Sequence, residues 1–176
     1  GRVVQENMTL FEKPGYLFPL LETLSTGDTV NLLGRAPGSN WFYVTSIDGT
    51  DGWIKNVGID FQGNYFDAPE ITPQDVLVVR VFAPNGSPAS LITGMLNPRG
   101  AQDTQMQDVA ESDFTGRFYF FLPLGTSGQW TLVANDWNCG STDATGVCGL
   151  IGQFPPPQEI SLPNAAGDEL EIDILP

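Results

Sequence analysis

Trp41-Phe42-Tyr43-Val44-Thr45-Ser46-Ile47-Asp48-Gly49-Thr50-Asp51-Gly52-Trp53-Ile54-Lys55 is the stretch on which the fold turns. A run of aromatic and β-branched residues leads into Asp48-Gly49, and a second run follows at Trp53. That pattern is strand, tight turn and returning strand, because Asp-Gly accepts the positive φ that a hairpin turn demands. Alternation puts Trp41, Tyr43 and Thr45 on one face and Phe42, Val44 and Ser46 on the other. Upstream, Thr26-Gly27-Asp28 opens a strand over Thr29–Gly34, and Ala36-Pro37-Gly38-Ser39-Asn40 is the turn before Trp41. Five short strands in residues 1–66 are expected to close into a small barrel, with Trp53 in its core.

The same grammar continues downstream. Strands are expected over Asp75–Phe82, Leu91–Leu96, Thr104–Val109, Gly116–Pro123, Gln129–Asn135, Glu159–Leu162 and Glu169–Ile174. The last alternates throughout, Leu170, Ile172 and Ile174 inward and Glu169, Glu171 and Asp173 outward. Seven short strands separated by turns are the pattern of a β-sandwich. Twenty Gly and fourteen Pro among 176 residues fit turns better than helix interiors. The fold class is therefore all-β: a barrel over 1–66, a stiff linker over 67–73 and a sandwich over 74–176. The linker is marked by Pro69 and Pro73, and Tyr65 and Phe66 stand beside it as candidates for packing between the domains.

Charge narrows the functions. Seven basic residues against twenty-one acidic ones leave a net charge of −14, and there is no histidine. Residues 1–66 carry −3 of this and 67–176 carry −11. Seven scattered cations supply no phosphate footprint, so a nucleic-acid partner is not expected. The apolar runs are too short for a transmembrane helix, so neither is membrane insertion. Without histidine, the usual general base and the usual zinc ligand are missing. The chain begins Gly1-Arg2-Val3-Val4, with no initiator Met and no signal-peptide pattern, as expected of a fragment of a longer protein.

Cys139 and Cys148 bracket a small, polar, Gly-containing segment. One reading is a disulfide formed in an oxidising compartment, closing a loop worth ~2–3 kcal/mol in the chain-entropy model. The other is two unrelated reduced thiols.

The order Gly27-Asp28-x-Val30-x-Leu32-Leu33-Gly34, then Trp41-x-x-Val44, then Asp48-Gly49 and Gly52-Trp53-Ile54, resembles a bacterial SH3 domain (SH3b, SH3 type 3). Met8–Gly15 stands where such domains carry their "LNVRSGPS" segment, although Phe11, Glu12 and Lys13 replace its Arg, Ser and Gly. The resemblance implies an SH3-like barrel that binds cell-wall peptides in a groove between the long first loop and the aromatic strand. Tyr16, Phe18, Trp41 and Tyr43 are the candidates by position, against the alternative that these rings only fill or cap a small barrel. Val79-Arg80-Val81-Phe82, Asn85-Gly86-Ser87-Pro88, Gly116-Arg117-Phe118-Tyr119-Phe120, Leu122-Pro123-Leu124-Gly125 and Trp130-Thr131-Leu132-Val133 resemble the carboxypeptidase-regulatory-like and Cna-B-like sandwiches. Those have an Ig-like, prealbumin-like fold and imply a spacer or adhesion role without catalysis. No lysine follows Lys55, so the Lys–Asn isopeptide bond of some Cna-B domains has no lysine here.

No catalytic constellation stands out. Glu169, Glu171 and Asp173 on one strand face read as a charged exterior rather than an acid–base pair. For calcium, Asp136, Asn138 and Asp143, or Asp48 and Asp51, offer oxygens, but neither set has EF-hand spacing and turn-forming Asp explains them. No Gly-rich phosphate loop joins a strand to a helix, and no cofactor is expected. The expectation is a non-catalytic fragment of an extracellular, cell-surface or periplasmic bacterial protein. Its barrel would recognise a cell-wall peptide or protein ligand. The alternative is the accessory, targeting part of a cell-wall hydrolase whose catalytic domain lies elsewhere.

Overall fold

The structure is a computed structural model, and it describes residues 1–82, 91–99, 108–111, 117–142, 148–153, 157–162 and 169–173. Among them the chain is all-β, with one short 3-10 turn and no α-helix. It divides into two compact units, Gly1–Val76 and Leu77–Pro176.

The first unit holds β1 (Arg2–Val3), β2 (Met8–Phe11), β3 (Leu20–Leu24), β4 (Val30–Arg35), β5 (Trp41–Ser46), β6 (Asp51–Lys55) and β7 (Ile59–Asp60). Five of these form an antiparallel sheet in the order β3-β2-β6-β5-β4, and β1 pairs with β7 as a separate two-stranded ribbon. The β5–β6 hairpin turns where the sequence places it. Gly49 takes φ 86°, and its amide bonds the Ser46 carbonyl at 3.0 Å. Asp51 and Gly52, read as turn residues, instead begin β6. Pro37-Gly38 makes the preceding turn, with Gly38 at φ 78° and Ser39 N–H on the Ala36 carbonyl at 2.9 Å.

The expected closed barrel is not formed: no ladder joins β3 to β4. The reason lies in the Ser25–Asp28 turn, whose backbone is taken by the N-terminal strand. Val3 N–H bonds the Asp28 carbonyl and Gly27 N–H bonds the Val3 carbonyl, both at 2.8 Å. Thr29 bridges Arg2 in turn. The core beneath the sheet is Val3, Met8, Leu10, Leu24, Val30, Phe42, Val44 and Ile54, with Leu32, Ile59, Phe61 and Tyr65 against it. Tyr65 sits in the 3-10 turn Tyr65–Asp67, capped by the Asn64 carboxamide, which accepts from Phe66 N–H at 3.2 Å.

The segment after this turn adds to the first unit. Arg35 N–H bonds the Pro69 carbonyl at 3.0 Å, and Ile71 N–H bonds the Arg35 carbonyl at 2.8 Å. The Arg35 guanidinium meets Glu70 at 2.8 Å. Residues 69–71 thus lie parallel along the end of β4. Gly34 makes this approach possible, since a Cβ there would collide with the Ile71 side chain and stand 2.9 Å from the Pro69 carbonyl.

The second unit holds β8 (Val76–Phe82), β9 (Leu91–Pro98), β10 (Asp108–Glu111), β11 (Arg117–Pro123), β12 (Gly128–Thr142), β13 (Cys148–Gln153), β14 (Gln158–Leu162) and β15 (Glu169–Asp173). One sheet runs β10-β9-β12-β13 with β14 also on β12, and the other runs β11-β8-β15. This is a β-sandwich-like arrangement. Val79, Leu96, Phe120, Phe121, Leu122, Trp130, Leu132 and Leu162 are buried. The Leu-Pro-x-Gly piece ends β11 in a turn, with Gly125 at φ 83° and Thr126 N–H on the Pro123 carbonyl at 3.1 Å.

Three details depart from the sequence reading. The third strand is Asp108–Glu111 rather than Thr104–Val109. The strand expected over Gln129–Asn135 runs on to Thr142 and pairs with β13, where the sequence predicts no strand, so this unit has eight described strands rather than seven. The last strand pairs in parallel with β8, Ile172 opposite Val81. Around the cysteines, the β12–β13 ladder pairs Asn138 with Gly149 and Thr142 with Cys148, which leaves an irregularity at Cys139. The cysteine side chains and Asp143 lie outside the described residues, as do the side chains of the last strand.

Candidate functional site

Register decides which side chains share the outer face of the first sheet. Tyr43 stands opposite Trp53, and Trp41 opposite Lys55. Phe11 of β2 also stands opposite Trp53. Since alternate residues of a strand share a face, Phe11, Trp41, Tyr43, Trp53 and Lys55 gather on one side, while Phe42, Val44 and Ile54 face the core on the other. Gly52 brings β6 close to β2, because a Cβ there would stand only 3.1 Å from the Phe11 carbonyl oxygen.

Over this face folds the loop between β2 and β3, carrying Tyr16. Tyr16 packs edge-on against Trp41, ring centroids 5.2 Å apart, and Phe11 packs against both, at 5.6 Å from Tyr16 and 5.8 Å from Trp41. Each such pair contributes about 0.5–1.5 kcal/mol beyond area burial. The Lys55 ammonium lies 5.0 Å from the Trp41 ring centroid, a cation–π distance. Tyr43 and Trp53 stack in a tilted pair at 5.1 Å.

Burial grades these residues. Trp41 is fully buried, Trp53 nearly so, and Tyr16 is 44% exposed. Phe11, Phe18 and Tyr43 are half-buried. The buried Trp41 indole N–H has no hydrogen-bond acceptor among the described residues. Buried donors of this kind are usually bonded, and leaving the bond unmade costs about 1–3 kcal/mol.

Of the four residues nominated from sequence, Tyr16 and Trp41 are brought into contact. Tyr43 shares their face in a second ring pair. Phe18 lies on the same loop without a ring contact to the cluster among the described residues. Trp53 is buried as expected, but on the aromatic face rather than in the core cluster, where its neighbour Ile54 sits instead. Phe11 and Lys55 were missed. Counting back across the Asp48-Gly49 turn pairs Trp41 with Lys55, so that signal was present. Phe11 stood at a position where the family resemblance fails, and only the β2–β6 register reveals it.

A separate cleft of about 500 Å³ opens beside Arg2, Thr29, Leu32, Phe61 and Tyr65, and none of the nominated residues lines it. Asp51 accepts from the Thr45 hydroxyl across the hairpin, and among the described residues no three or more potential metal ligands cluster. No helix among the described residues is long and apolar enough to cross a membrane. Compared with family models, with curated proteins and with solved structures, the chain matches none.

Proposed function

We propose that the first unit is an SH3b-like binding module that recognises a cell-wall peptide or protein ligand on its aromatic face, and that the chain is a non-catalytic piece of a secreted or surface bacterial protein. The observation that carries this reading is the buried Trp41 indole N–H without an acceptor, roofed by a half-exposed Tyr16 on a loop. A peptide carbonyl reaching that N–H as Tyr16 swings aside would make the missing bond, and the Phe11, Trp41 and Tyr43 rings would supply flat apolar contact. Absence of histidine from the sequence supports a role without general-base chemistry. The acidic second unit serves as a spacer of carboxypeptidase-regulatory-like or Cna-B-like kind, with Cys139 and Cys148 joined as a disulfide in an oxidising compartment. Thiol alkylation followed by mass measurement tests that bond: two added groups before reduction would remove it.

The test of function is co-sedimentation of the full chain with purified peptidoglycan sacculi. Saturable binding is expected, falling at least tenfold in Trp41→Phe, which keeps a ring and removes the N–H, and at least threefold in Tyr16→Ala. Absence of binding by the wild-type chain, or equal binding by Trp41→Phe, overturns the reading.

A further inference from the structure

The two edges of the first sheet are treated differently by the chain itself. The β4 edge is covered at both ends. Val30 N–H bonds the Gly1 carbonyl at 3.0 Å and Thr29 bridges Arg2, while Pro69 and Ile71 pair with Arg35 at the other end. The β3 edge has no such cover: β3 ends the sheet, and among the described residues its only ladder is with β2. Glu12 N–H bonds the Pro19 carbonyl at 2.9 Å, and the ladder continues Phe11 to Leu20, Leu10 to Glu22 across a bulge, and Thr9 to Thr23. In an antiparallel ladder, bonded and non-bonded pairs alternate. The Leu20 and Thr23 amides and carbonyls therefore point away from β2, towards solvent.

The side chains at this edge are also unusual for an exposed strand. Leu20 is 59% and Leu21 44% exposed, and they continue an apolar segment that includes exposed Leu17. Natural sheets usually protect an open edge with charge, proline or a covering loop. Here one edge has that cover, while the other, short and carrying a bulge after the exposed Pro19, still offers backbone groups beside leucines.

We propose that the β3 edge is a strand-addition site for an extended polypeptide segment of basic character. Backbone bonds to Leu20 and Thr23 give affinity, and the leucines take alternate apolar side chains. Charge chooses the occupant. Residues 1–66, which carry this edge, have a net charge of −3 and the whole chain −14, so the chain repels a second copy of itself and attracts a cationic segment. Glu12 and Glu22, against Lys13 at the loop entrance, leave one net local negative charge, and the Glu22 carboxylate accepts from the Ser46 hydroxyl at 2.8 Å. This site is separate from the indole N–H of Trp41 and stands without the cell-wall reading.

The experiment uses the full chain and a ten-residue peptide alternating Val and Lys, with a matched peptide N-methylated at every second residue. Both carry the same charge, but the second cannot complete a ladder. Amide exchange read residue by residue is expected to slow at least tenfold at Leu20 and Thr23 with the first peptide and to stay unchanged with the second. Thr23→Pro, which removes an outward N–H and no bond to β2, is expected to weaken binding at least tenfold. Tyr16→Ala is expected to leave the protection intact, which separates this site from the aromatic one. Equal binding of the two peptides, protection elsewhere than β3, or protection that grows with protein concentration without peptide overturns the proposal, the last by assigning the edge to a second copy.

Discussion

The two faces of the β5–β6 hairpin differ in what their side chains demand. Phe42, Val44 and Ile54 on one face are apolar, at most 2% exposed, and ask only for volume. Phe11, Trp41, Tyr43 and Trp53 on the other are rings, most of them with polar atoms, beneath a loop that leaves Tyr16 in solvent. The first face is a core in the ordinary sense. The second is packed almost as tightly at Trp41, yet it keeps an indole N–H without an acceptor among the described residues, at a cost in stability.

That contrast breaks or sharpens on three substitutions. Phe42→Ala is the most damaging, expected to cost about 3–5 kcal/mol of unfolding free energy by urea titration, because it opens a large cavity in the core. Trp41→Phe is expected to cost about 1 kcal/mol, since lost volume is partly offset by removal of the unpaired N–H. If it proved as costly as Phe42→Ala, the two faces would be one core and the binding reading would lose its ground. Tyr16→Ala is expected to cost less than about 1 kcal/mol, as truncation of a half-exposed loop ring should. Its effect on emission is the finer probe: the fluorescence of the four tryptophans should move to longer wavelength as water reaches the Trp41 indole.

Local signals carried much of this fold. The β5–β6 hairpin follows from two apolar runs about Asp48-Gly49, and the Pro37-Gly38 turn from its residue types. Trp41 and Tyr43 sharing a face follows from a period of two. What sequence could not give was partnership at a distance. Closure of the barrel depends on whether β3 finds β4, and Val3 decided that by occupying the Ser25–Asp28 turn from far along the chain. Likewise the extension of β12 past Asn135 rests on pairing with β9 as far as Trp137 and with β13 as far as Thr142, while its own Asn, Gly and Ser residues read as loop. Within the site, Tyr16 and Trp41 were legible as rings on a loop and a strand. That Phe11 joins them and that the indole N–H lacks an acceptor are facts of packing.

The pairing of residues 69–71 with Arg35, over the notch at Gly34, bears on how portable this module is. The prolines at 69 and 73 read as the punctuation between domains, and a cut after Phe66 looks natural. Such a cut would strip the Ile71 side chain from Gly34, release Arg35 from Glu70 and leave β4 with a raw border prone to stick to other chains. A transplant ending at Val76 carries its own seal. The module can be moved between proteins only together with the short tail that follows it, and fusions that trim that tail should precipitate where those that keep it stay in solution.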